Sequence, residues 1–203
     1  MLKVIGMYND RFRLYESVIR RHSSPQSSTF GKLFGGIFDK VFSPNQHVYT
    51  FRIPTSVYLR TEMFCEDITE ESEYDFDVAD LINVLIEDFL RGIRRNPDPE
   101  YIYRGLVSRD HKKAVIINHH IYEERSVSKC TPTPNLMELS VHLERRQALK
   151  LEIFLADLYE VLNEEPVYVE DVIEILLCDF INSYKQGLIN NAFDEIIKHF
   201  TKS

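Results

Sequence analysis

This sequence predicts a mainly α fold carrying one two-stranded antiparallel ribbon, with both strands supplied by the same chain. Three observations lead there. Two short segments alternate apolar and polar residues, each is followed by two amphipathic helical stretches, and the second set keeps the rhythm of the first. The 203 residues, 44% of them hydrophobic, suit one moderate domain or two small ones and exclude a wholly disordered chain.

The elements follow in order. Residues 1–46 read as an N-terminal arm and linker, with a short helix around Phe12 to Ile19 and a Ser- and Gly-rich loop from His22 to Gly36. The glycines of GKLFGG lack the Gly-x-x-x-x-Gly-Lys-Ser/Thr spacing of a phosphate loop, so no nucleotide is assigned to them. Residues 47–95 form a first strand-helix-helix unit. In VYTFRI, Tyr49, Phe51 and Ile53 alternate with Val48, Thr50 and Arg52, the period of two of a strand with distinct faces. Pro54 ends the strand, Thr55 or Ser56 caps a helix running to about Ile68, and Glu70 to Asp77 is a polar break. From Asp77, Val78, Leu81, Ile82, Leu85, Ile86, Phe89, Leu90 and Ile93 share one helical stripe, which Asn96, Pro97 and Pro99 stop.

Residues 96–135 read as an inserted connector, and residues 136–185 as a second unit. Here MELSVHL alternates Met137, Leu139, Val141 and Leu143 with Glu138, Ser140 and His142. A helix after Glu144 carries Leu151, Phe154, Leu155, Leu158, Tyr159 and Leu162, Asn163 to Pro166 breaks it, and another helix follows from Val169. Sliding the first stripe forward by 91 positions places seven of its eight residues on apolar residues, Ile93 on Tyr184, and Asp88 on Asp179, an internal duplication signal. Residues 186–203 form a C-terminal helix with Leu188, Ala192, Phe193, Ile196, Ile197 and Phe200 on one side, a face for internal burial, a protein partner or a second copy.

A lone short strand leaves its edge groups unpaired, so the two strands are expected to pair with each other while four helices enclose the apolar stripes. The chain then imitates a dimer by itself. Charge is uneven: +6 over residues 1–60, -11 over 61–90, +4 over 91–129 and -7 over 130–203, for a net -8. An acidic average field repels a polyanion, yet a local basic surface can hold one because salt screens distant charges.

Each unit resembles the ribbon-helix-helix DNA-binding family. The first carries VYTFRIP, a helix, a short turn and VADLINVLIEDFL, with Leu81 and Ile82 as the early apolar pair of the second helix. The second unit carries MELSVHLE and VEDVIEILLCDF, with Val172 and Ile173 as that pair and Glu144 in place of Pro. The tandem arrangement is similar to certain archaeal viral transcription regulators with both halves in one chain. The resemblance implies a tandem ribbon-helix-helix pseudo-dimer that acts as a sequence-specific transcription regulator, such as a repressor, on double-stranded DNA. It implies base contacts from Val48, Thr50 and Arg52 on one strand and Glu138, Ser140 and His142 on the other, reading an imperfect palindrome. The family also holds phosphates at the start of the second helix. Asp75 and Asp77 in one copy, and Glu165 and Glu170 in the other, oppose that use. Arg11, Arg13, Arg20 and Arg21 of the arm, with Arg104, Arg109, Lys112 and Lys113 of the insertion, are the compensating phosphate candidates.

Other chemistry has little support in the sequence. His111, His119 and His120 near Glu123 and Glu124 match no metal-ligand spacing, and Cys65, Cys130 and Cys178 are isolated, so no metal or other cofactor is expected. No catalytic arrangement is proposed, and the protein is expected not to be an enzyme. The chain lacks a stretch of roughly 18 apolar residues, so no membrane association is expected, and the location is read as intracellular, the host cytoplasm for a viral protein. The alternative is a helical protein-interaction module without DNA binding, a toxin-binding or structural partner protein.

Overall fold

A computed structural model of the chain describes residues 12–23, 46–72, 74–109, 135–189 and 191–201. These residues form α1 (Arg13–Ser23), β1 (Gln46–Pro54), α2 (Thr55–Ser72), α3 (Val78–Arg95), α4 (Pro99–Ser108), β2 (Leu136–Glu144), α5 (Arg145–Leu162), α6 (Val169–Lys185) and α7 (Ala192–Thr201). The protein is mainly helical, and β1 and β2 make one two-stranded antiparallel sheet. Both ends of β2 and α5 lie 90 residues after those of β1 and α2, and α6 begins 91 residues after α3.

The sheet register pairs Thr50 with Ser140, Arg52 with Glu138 and Thr55 with Asn135. The last pair corrects the capping expectation. Thr55 is the first residue of α2, and both its N–H, at 2.8 Å, and its hydroxyl, at 2.9 Å, donate to the Asn135 carbonyl. Thr55 therefore prolongs the ribbon ladder instead of satisfying the helix start. The alternation in sequence becomes two faces: Tyr49, Phe51, Ile53, Val141 and Leu143 are buried, while the polar positions between them are exposed.

The chain packs as two compact units, one of Met1–Val48 with His142–Val169 and one of Tyr49–Val141 with Glu170–Ser203. In the first, α1 packs on α5. Phe12 and Leu14 are buried, and the Phe12 ring lies 5.6 Å from that of Tyr168. The buried face of α5 is Ala148, Leu151, Glu152, Leu155, Ala156 and Leu158. It is rotated from the expected stripe because Phe154, Tyr159 and Leu162 stay half-buried and a carboxylate enters the core. Glu152 is fully buried and accepts from the Tyr15 N–H at 2.8 Å, which places a carboxyl oxygen at the first turn of α1, where an orphan helix donor needs an acceptor. α1 runs on to Ser23, past the expected end at Ile19.

In the second unit Phe64 of α2 is the hub. It is 1% exposed and meets the rings of Phe180, Tyr184 and Phe193 edge-on at 5.2, 4.9 and 6.1 Å, joining α2 to α6 and α7. α7 thus turns its apolar side inward, with Ile196 buried. α2 extends four residues beyond the expected Ile68, to Ser72. The following break is less polar than its composition: Phe76 is buried, its N–H donates to Thr69 Oγ1 at 3.1 Å, and the Thr69 hydroxyl donates back to its carbonyl at 3.3 Å. Phe76 and Leu81, both buried, occupy the two positions of a hydrophobic staple around the Asp77 cap of α3. The connector contains a helix that the composition-based reading passed over. Asp98 Oδ1 accepts from the Tyr101 N–H at 3.1 Å and Pro99 stands at the first helical position, a strong start signal for α4.

Candidate nucleic-acid interface

On the outer face of the ribbon β1 presents Val48, Thr50 and Arg52 and β2 presents Glu138, Ser140 and His142, all exposed. At its centre the hydroxyls of Thr50 and Ser140 lie 2.9 Å apart in a mutual hydrogen bond. Beside them Arg52 donates from Nε and Nη2 to Glu138 Oε2, at 3.1 and 2.9 Å. The two side chains are 66% and 58% exposed, so the pair contributes only about 0–1 kcal/mol to stability and is free to exchange with a ligand. At the other end Val48, 50% exposed, faces His142 in the same register. The face thus grades from an ion pair, through two hydroxyls, to an apolar and imidazole pair. It presents donors, acceptors and a methyl-bearing surface, and its one arginine is outnumbered by Glu138 and by the exposed Glu144 that ends β2.

The phosphate candidates divide. Arg11, Lys112 and Lys113 lie outside the described residues, as do the histidines and glutamates of residues 111–124 and Cys130; Arg21 belongs to α1, but its side chain is not described. Arg13, Arg20, Arg104 and Arg109 are exposed. Arg20 pairs with Glu16 at 3.1 Å, Arg104 with Glu100, and Arg109 with Asp179 at 3.4 Å. All four lie on or beside α1 and α4, outside the two ribbon strands.

At the start of α3, Asp77 Oδ1 accepts from the Asp80 N–H at 2.9 Å and Asp80 Oδ2 from the Asp77 N–H at 3.2 Å, a reciprocal capping box. These carboxylates take up two of the N–H donors at the helix start and set negative charge beside the others. Burial raises the Asp80 pKa, the hydrogen bond from Asp77 N–H opposes this, and the Asp77 and Asp75 carboxylates raise it further. This helix start therefore repels anions at neutral pH.

Reactive groups elsewhere are subdued. Burial, with nearby carboxylates, pushes the Cys65 thiol up to about 12, far from a nucleophile at neutral pH, and Cys178 is also buried. Among the described residues no group of three or more His, Cys, Asp or Glu side chains is placed to hold a metal ion, and no helix is long and apolar enough to cross a membrane. A separate cleft of about 620 Å³ lies in the second unit, with Val84, Leu85, Phe180, Ile189 and Ile196 on its apolar walls and Glu87, Asp88, Arg91 and Glu195 among its polar lining.

Sequence reasoning missed the Arg52–Glu138 pair. Opposite charges on the outward positions of the two alternating segments were the available signal, but the register needed to join them comes only from the pairing. Set against family models, curated proteins and solved structures, the chain matches none.

Proposed function

We propose that the protein is a tandem ribbon-helix-helix regulator that reads a short double-stranded DNA site through the major groove with its intrachain ribbon. The observation that carries this reading is the ribbon itself: strands far apart in sequence pair so that Thr50, Arg52, Glu138 and Ser140 lie together on an exposed face backed by buried Tyr49, Phe51 and Val141. A two-stranded ribbon fits the major groove, and its outward side chains then meet base edges. The spacing of elements supports a duplication. Strand and first helix repeat at 90 residues, and the second helix at 91 because the break after α5 is one residue longer. With that correction Thr50 corresponds to Ser140, Arg52 to His142 and Val48 to Glu138. The two half-sites are then unlike.

The deciding experiment is a mobility-shift assay with duplexes of randomised core, followed by footprinting of the enriched sites. Wild type is expected to select an imperfect palindrome, and Arg52→Ala to lose preference while keeping a weaker non-specific complex. Absence of duplex binding at low salt favours a second reading, a protein-interaction module. The cleft lined by Val84, Leu85, Phe180 and Ile189 is the surface that recommends it.

A further inference from the structure

Arginine carries five N–H donors in a planar fork, one on Nε and two on each terminal nitrogen. Glu138 uses a single oxygen, Oε2, to occupy the Nε–Nη2 edge of Arg52. The two N–H groups of Nη1 and the outer one of Nη2 stay available, and they include a parallel pair matching the O6 and N7 acceptors of guanine. A carboxylate on this face is otherwise a liability, because it repels phosphate and cancels the ribbon's own cation. The geometry gives it a use.

We propose that Glu138 is a positioning residue that holds the Arg52 fork toward one guanine, so that the ribbon trades general affinity for discrimination at that base. This rests on the ribbon being the DNA-reading surface. An unsupported Arg52 swings among O6, N7 and neighbouring phosphates and gains something from any sequence. Held along its Nε–Nη2 edge, it gains fully only where two acceptors stand side by side. Adenine offers N7 beside an amino donor, so the held fork loses one bond and meets a like group. Among the described residues no hydrogen bond or ion pair holds His142, which stands opposite Val48 in the same register, and discrimination for guanine is confined to one half-site.

The test uses the full chain as wild type, Arg52→Ala, Glu138→Ala, Glu138→Gln and the Arg52→Ala/Glu138→Ala double variant, each selecting from duplexes with a randomised core. Circular dichroism checks that each is folded. Wild type should enrich a guanine that Arg52→Ala does not. Glu138→Ala should keep duplex binding, bind unselected duplex more tightly at low salt, and lose about tenfold of the preference for guanine over adenine at that position. The double variant should match Arg52→Ala in base preference. Glu138→Gln, which keeps an acceptor, should regain part of the discrimination. Folded Glu138→Ala selecting the same guanine as strongly as wild type overturns the proposal while leaving the ribbon reading intact. A wild type that binds no duplex, or that enriches no base, removes that reading and this proposal with it.

Discussion

Phe64 holds three aromatic neighbours from two other helices, so its removal leaves a cavity that no single side chain can fill. Phe64→Ala is expected to lower stability by about 3–5 kcal/mol, read as a lower denaturant midpoint with little change in slope. Arg52 is the contrasting case, exposed and paired by solvent-screened contacts, so its substitution should hardly move the midpoint. The two faces of β1 were legible because alternation reports exposure directly. Glu152 was not: a glutamate beside an apolar stripe reads as a boundary residue, and only the docking of α1 brings the Tyr15 N–H to its carboxyl oxygen.

Among the elements, α3 shows how a helix start can favour stability over anion binding. Asp80 has a folded pKa above its ordinary 3.8, so its favourable contribution is complete below 3.8 and is lost as pH rises through the raised value. Asp80→Asn is therefore expected to be less disruptive at neutral pH than Asp77→Ala and to raise stability by under about 1 kcal/mol, given the group's exposure to solvent. Asp77→Ala, which removes the cap outright, is expected to cost about 1 kcal/mol at the same pH. Thermal melts of both variants from pH 3 to 7 check the signs, the Asp80→Asn gain disappearing at the acid end. Helix positions were legible wherever an apolar stripe was long, as in α3, α5 and α6. α4 was hidden by its setting: Asn96, Pro97 and Pro99 read as a terminator, although Asp98 before Pro99 is also an initiator. The ends of α1 and α2 were underestimated because polar last turns carry no stripe.

For the molecule as a whole, charge sets the terms of any encounter with DNA. The net charge of -8 opposes approach, the ribbon face carries Glu138 and Glu144 against Arg52, and Arg20, Arg104 and Arg109 are engaged with carboxylates. Under the proposed function, affinity is expected to fall with salt, each phosphate contact adding about 0.9 to the magnitude of the logarithmic slope. Arg109→Ala should reduce that magnitude by about one if Arg109 reaches a phosphate. Asp179→Asn, which releases Arg109, should strengthen binding at low salt. Titrations of both variants against one duplex at several salt concentrations check this pair. The organisation into a two-stranded sheet among helices was legible from the order of elements. The division into two compact units was not, since it runs across both strands and separates α5 from most of α6.

The ribbon also constrains how the protein comes into being. Its strands are separated in the chain by residues 55–135, so the ladder closes a long loop whose entropic cost must be met before any of its bonds forms. Helices held by local contacts can assemble on their own, whereas the surface bearing Arg52 and Ser140 exists only once distant segments have met. A chain emerging from synthesis lacks that surface until β2 has been made, and a nascent or truncated product ending before residue 136 has helices but no face with which to read anything.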